Sequence, residues 1–256
     1  MKITIKNKEE INKMRIAGIV FCTSVMYLKH MSSSSPVETP GITYGVIISR
    51  TSAANLPANV GYRGYEKTIC SSVNQVICHG IPDKNKILKN GDILNIDVTV
   101  IKDGWHGDTS KMFLIGKCQP HNERLVKVTQ ECLYKAIKLV KPGAYLGDIG
   151  HIIQKHAESN YYSVVEDYCG HGIGTVYHEE PQVLHYGTPN TGVQLKEGMC
   201  FTIEPMINQG SKYSKSLSDG WTVETKDGRN SAQWEHTLAV TSDGVEVLTK
   251  RSEESI

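Results

Sequence analysis

The chain has 256 residues, 39% of them hydrophobic and 21% charged, with 28 basic side chains against 27 acidic ones. That is enough apolar material for one large domain or two small ones with a sizeable core, and too even a charge balance to suggest nucleic acid or a membrane surface as partner. The opening MKITIKNKEEINKMRIAG lacks the apolar core of a signal peptide and no apolar run approaches the ~20 residues that span a bilayer, so a protein of the cell interior is expected.

Residues 8 to 28 place Ile11, Met14, Ile16, Ile19 and Val25 at approximate helical spacing with acidic residues early, which predicts an amphipathic helix. From Lys29 to Val60 the chain is dense in Ser, Thr and Pro without a sustained period, and loop is expected. ICSSVNQVICHGIP then offers short β-branched stretches, and ILKNGDILNIDVTVIKDGWHGDTSKMFLIG reads as a hairpin turning at Lys102-Asp103-Gly104. Over 122 to 141, apolar residues at Leu125, Val128, Cys132, Leu133, Ala136, Ile137 and Val140, closed by Pro142-Gly143, predict a helix, and a second follows at about 146 to 159. Beyond Asn160 the pattern is strand-rich. Helix-and-strand material therefore occurs twice, over about 1 to 115 and 116 to 250, which hints at two similar halves although no string repeats. The seven cysteines (Cys22, Cys70, Cys78, Cys118, Cys132, Cys169, Cys200) are odd in number and lack C-x-x-C spacing, pointing to reduced thiols.

Four carboxylates carry the chemistry. Folding the hairpin about residues 102 to 104 brings Asp97 and Asp108 nearly opposite each other, ~5 Å apart, where like charges destabilise a sheet unless neutralised. A divalent cation would neutralise them; the alternative is that one faces solvent or caps the turn, and on the hairpin alone the two readings stand level. Glu204 ends the apolar run CFTIEPM, and Glu235 lies in SAQWEHTLAV, where burial is expected. Bare buried carboxylates cost several kcal/mol, whereas a single strand Glu is more simply read as solvated. His171 in YCGHGIG is flanked by glycines that let the backbone bend tightly and expose a ring nitrogen. Taken together, four oxygens and one nitrogen suit Mn, Fe, Co or Zn, with Asp108 and Glu235 available to bridge two ions.

CGHGIGTVYHEEPQVLHY, NIDVTVIKDGWHGDTSKMF, FTIEPM and SAQWEHT together resemble the type I methionine aminopeptidases of metallopeptidase family M24, over residues 1 to about 18 and about 61 to 250. The resemblance implies an α+β pita-bread fold in a single catalytic domain: two pseudo-symmetric halves around a curved antiparallel sheet. It implies Asp97, Asp108, His171, Glu204 and Glu235 as ligands of two divalent ions (Co, Mn, Fe, Zn or Ni), with Asp108 and Glu235 bridging. Glu204 would also shuttle protons. His79 in VICHGIP and His178 in TVYHEEP fall at substrate-handling positions, and Tyr62, Tyr65, Cys70, Tyr177 and Trp221 at the methionine pocket. Each of these alone reads as an ordinary structural residue. The implied activity is excision of the initiator methionine from nascent polypeptides with a small second residue, by a cytoplasmic monomer near the ribosomal exit tunnel, without nucleic-acid or membrane recognition. Alternatives are an Xaa-Pro-type aminopeptidase, which usually carries a further N-terminal domain, and a pita-bread binding protein without catalysis. Residues 19 to 60 depart from the family pattern, and Asn59 stands where a small thiol is common. A shifted reading frame restored before Gly61 would account for this, and an intact mass decides it.

Overall fold

A computed structural model describes residues 2–19 and 56–256. The first helix is described over residues 8–19; the rest of its expected span and the Ser/Thr/Pro-rich stretch up to residue 55 lie outside the described residues. In chain order the strands are β1 (Leu56–Pro57), β2 (Cys70–Val73), β3 (Val76–Cys78), β4 (Ile93–Lys102), β5 (Trp105–Leu114), β6 (Ser163–Val164), β7 (Gly170–Gly172), β8 (Glu179–Val183), β9 (Cys200–Ile203), β10 (Met206–Asn208), β11 (Ser214–Ser216), β12 (Val223–Thr225), β13 (Ser231–Gln233), β14 (His236–Val240) and β15 (Val245–Val247).

Asp103 and Gly104, at φ 49° and 80°, supply the left-handed backbone that a two-residue hairpin turn requires, so β4 and β5 pair along their whole lengths. Alternation along β4 separates two environments. Leu94, Ile96, Val98 and Val100 enter a core with Ile69, Val73 and Phe113, while the intervening Asn95, Asp97 and Thr99 face the other way. The register pairs Thr99 with Asp108 and Asp97 with Ser110. The two aspartates are thus diagonal neighbours on one face, two residues out of step, rather than opposite each other as the hairpin alone suggested. The opposite edge of β4 carries β2 and then β1.

The second helix spans Pro120–Ile137, not 122 to 141: Pro120 sits in the first turn, and i→i+3 bonds from Leu139 and Val140 tighten the far end ahead of Pro142. The third occupies Leu146–Ser159, its start fixed by Asp148 accepting from the Tyr145 N–H at 2.9 Å. Leu125, Leu133 and Ile137 on one and Ile149, Ile153 and Ala157 on the other share a core with Phe201, Ile203, Ile207, Trp234 and Leu238. This helical layer backs the antiparallel ladders β15-β14-β9-β7-β8 and β13-β10-β6; a further three-stranded ladder runs β11-β12-β3. The six cysteines among the described residues are free thiols, and no described helix is long and apolar enough to cross a membrane.

Candidate metal centre

Asp97 and Asp108 project from the β4–β5 hairpin, His171 from β7, and Glu204 and Glu235 from the breaks that follow β9 and β13. The glycines flanking His171 serve close approach rather than a tight bend. A Cβ on Gly170 would lie 2.4 Å from the Thr202 carbonyl oxygen, and one on Gly172 would lie 2.1 Å from that of Glu180. Only bare backbone lets β7 nest between β8 and β9 and carry the imidazole inward.

One donor atom from each of Asp108, His171 and Glu235 lies within 4.8 Å of the others. His171 Nε2 is 3.7 Å from Asp108 Oδ2 and 3.6 Å from Glu204 Oε1. Its Nδ1 meets the Gly172 carbonyl at 3.0 Å; donation there leaves the Nε2 lone pair directed at carboxylate oxygens, an arrangement that a cation resolves. Asp97 Oδ1 is buried with no hydrogen-bond partner among the described residues. Glu204 is fixed at both oxygens, Oε1 accepting from the Thr202 hydroxyl at 2.8 Å and Oε2 from Gln233 Nε2 at 3.2 Å. Asp108 accepts from the Thr99 hydroxyl at 2.8 Å. An orphaned buried oxygen, oriented carboxylates and a free imidazole lone pair fit a divalent-metal centre.

Burial raises the Asp97 carboxyl well above the usual range, with Asp108 and Glu204 adding to it. Burial and the facing Asp108 do the same for Glu235. For Glu204, burial outweighs the opposing His171 and leaves the group at about 7. A carboxyl raised on folding contributes stability below its unfolded pKa, ~4.3 for Glu, that is lost as pH rises through the folded value. The melting temperature of metal-stripped protein should therefore fall between pH 5 and pH 8, and added Mn(II) should raise it most at pH 8, where fewer protons compete with the ion for the donors. A metal-free melt flat across this range, or a larger Mn(II) effect at pH 5, contradicts the assignment.

Every site residue named from the sequence lines one cleft of about 260 Å³, together with Asn59 and Arg63. The His178 ring lies tilted against His171, centroids 4.1 Å apart, and stacks on Tyr177 at 4.2 Å. Burial, then the neighbouring His171 and His79, push it down to about 3, so it stays neutral at physiological pH. His79 holds φ 55°, a left-handed conformation that costs a non-glycine residue of order 1 kcal/mol, and burial lowers its pKa. Its neighbour Gly80 tolerates no side chain, because a Cβ would lie 2.2 Å from the Ser71 carbonyl oxygen. Tyr65 and Trp221 meet edge-to-face at 4.9 Å, forming an aromatic wall.

Thr99, Thr202 and Gln233, which orient the carboxylates, were not singled out from the sequence; alternation offered a signal only for Thr99, two residues from Asp97 on the same face. His185, which no sequence motif singles out, accepts the Glu204 N–H through its Nε2 at 3.2 Å.

Carboxylates from separate strands converging with an imidazole in a walled cleft define a hydrolase of the metal-dependent class. The model of metallopeptidase family M24 matches residues 14–242. The chain is 51% identical to the methionine aminopeptidase of Escherichia coli (strain K12) over 264 aligned residues, spanning 100% of this chain and 97% of that one. It superposes on the crystal structure of methionine aminopeptidase from Rickettsia prowazekii with TM-score 0.91 and 47% identity, covering 97% of this chain and 100% of the other. The chain belongs to the methionine aminopeptidases of metallopeptidase family M24, with their pita-bread fold. A prolidase from Pyrococcus horikoshii OT3, 21% identical at TM-score 0.70, shares that fold; the match covers 98% of this chain and 65% of the prolidase.

Proposed function

We propose that the protein excises the initiator methionine from new polypeptides with a small second residue, using two divalent ions held by Asp97, Asp108, His171, Glu204 and Glu235, with Asp108 and Glu235 bridging. The observation that carries this reading is the meeting of Asp108, His171 and Glu235 donor atoms within 4.8 Å, inside the cleft that also presents His79 and His178. The donor set of four carboxylates and one imidazole suits Mn, Fe, Co, Zn or Ni. Ligands from both halves of the fold support one catalytic domain.

Divalent ions at such a centre acidify water and polarise a carbonyl. The remaining chemistry belongs to the chain's own groups. Glu204, at about 7, is suited to take a proton from the attacking water and deliver it to the departing amine. His178, held neutral, donates its one N–H to the oxygen on which charge develops; His79 stands for the scissile amide nitrogen. Tyr62, Tyr65, Cys70, Tyr177 and Trp221 wall the slot for the methionine side chain, whose thioether packs well against aromatic rings. Such a slot admits a flexible unbranched chain and rejects branched ones. The same reading places a monomer in the cytoplasm, near the ribosomal exit tunnel, where new N-termini emerge.

Metal analysis and turnover of Met-Ala-Ser with Mn, Co and Fe supplied in turn test the proposal. Expected are release of methionine with at least one ion, its loss on chelation, and a much lower rate when a bulky residue replaces Ala. Failure to release methionine with any of the three ions would instead favour a binding protein.

A further inference from the structure

Arg251 heads the fully buried side chains among the described residues by volume, at 0% exposure, and nothing in the chemistry above uses it. Its guanidinium Nη1 donates to Thr109 Oγ1 at 2.9 Å, and Nη2 reaches the Ser110 carbonyl oxygen at 3.5 Å. Nε and Nη2 bind Glu254 Oε1 at 3.0 and 2.8 Å, and Cζ lies 5.6 Å from the Trp234 ring centroid. Thr109 and Ser110 directly follow Asp108, and Trp234 directly precedes Glu235. The Thr109 hydroxyl donates in turn to the Glu235 carbonyl at 2.5 Å, and the Glu235 N–H points to the Ser110 carbonyl at 3.3 Å.

These contacts matter because of where the sheet ladders stop. β5, which carries Asp108, pairs with β4; β14, which follows Glu235, pairs with β9 and β15. No ladder joins β5 to β14 among the described strands, so regular backbone pairing does not set the separation of Asp108 and Glu235. Apart from the single backbone bond from Glu235 to Ser110, side chains do: Thr237 Oγ1 donates to the Asp108 carbonyl at 2.7 Å and accepts from the Asp108 N–H at 3.0 Å, while the Thr237 N–H donates to Thr249 Oγ1 at 3.0 Å. Residues 249 to 254 thus touch both strands from behind the carboxylates. A planar, permanently charged fork can bond β5 and a counter-carboxylate while its face lies over Trp234, and the Thr109 hydroxyl carries the hold on to Glu235; a lysine ammonium cannot do this in the same plane.

We infer that Arg251, with Glu254 as its counter-charge and Thr109 as its relay, is a positioning residue that sets the spacing of Asp108 and Glu235 for metal. The inference rests on the reading that those two carboxylates hold metal, and the test separates the two. Mn(II) is titrated calorimetrically into metal-stripped wild-type, Arg251→Lys, Thr109→Val and Thr109→Ser protein, with metal-free melting temperatures and, at saturating Mn(II), kcat and KM for Met-Ala-Ser. Orienting partners of metal ligands are typically worth about 10- to 100-fold in metal affinity. Arg251→Lys and Thr109→Val should each weaken Mn(II) binding by that order and lower kcat at saturating metal with KM little changed, while Thr109→Ser, which restores the hydroxyl, recovers both. Thr109→Val deletes no charge and, with Thr109→Ser, carries the test if Arg251→Lys does not fold. A role in packing only would lower the melting temperatures and leave the Mn(II) affinity of folded protein within twofold of wild type, which overturns the inference. If wild-type protein itself took up no Mn(II), the metal reading would fall, and this inference with it.

Discussion

Glu235→Gln should abolish measurable turnover of Met-Ala-Ser and at the same time make the metal-free protein more stable. Glu235 is 2% exposed, and burial with the facing Asp108 raises its carboxyl well above the usual range, so its ionised form is costly to the empty site. Glutamine keeps the shape and removes the charge. Loss of a partner that merely orients a metal ligand costs about 10- to 100-fold in affinity, and loss of a bridging oxygen donor should exceed about 100-fold. Calorimetric titration with Mn(II) reads that term. Differential scanning calorimetry of metal-stripped protein reads the other: the variant should melt above wild type at pH 8, with a smaller gap at pH 5, where wild-type Glu235 is already protonated. A variant that binds Mn(II) like wild type, or that melts lower at pH 8, removes Glu235 from the centre.

His178→Ala should lower kcat by about two orders of magnitude, corresponding to ~3 kcal/mol for one well-aimed donor, and change KM little. The ring sits in the cleft 4.1 Å from His171, and burial with the neighbouring imidazoles holds it near 3, so it donates as a neutral group throughout the working pH range. The acid limb of the wild-type kcat profile should therefore come from the carboxylates, with Glu204 near 7 foremost, and should survive in His178→Ala at reduced amplitude. Wild-type kcat in the purified variant, or disappearance of the acid limb, would remove this role from His178.

What was legible in the chain was whatever has a short-range cause. The helix Leu146–Ser159 and the hairpin turn at Asp103-Gly104 follow from apolar period and from residues that tolerate positive φ. Apolar and polar residues alternate strictly from Leu94 to Val100, so the face bearing Asp97 could be read from sequence; the two-residue offset from Asp108 depends on the exact pairing of Lys102 with Trp105, which a turn placed only within residues 102 to 104 leaves open. For the same reason the glycines beside His171 were assigned a bend: their requirement comes from the carbonyls of Thr202 and Glu180, remote in sequence. Gln233 and His185 support Glu204 across gaps of 29 and 19 residues, and Arg251 reaches Thr109 across 142. No local pattern encodes such pairings. The stretch from Lys29 to residue 55, expected to be loop, lies outside the described residues.

The most direct measurement is anomalous diffraction from crystals soaked in Mn(II), recorded near the manganese edge. The account predicts two peaks ~3.5 to 4 Å apart, bridged by Asp108 and Glu235 and flanked by Asp97, His171 and Glu204. Manganese bound elsewhere on the protein with this cleft vacant, or ions in contact with none of these five side chains, would contradict it.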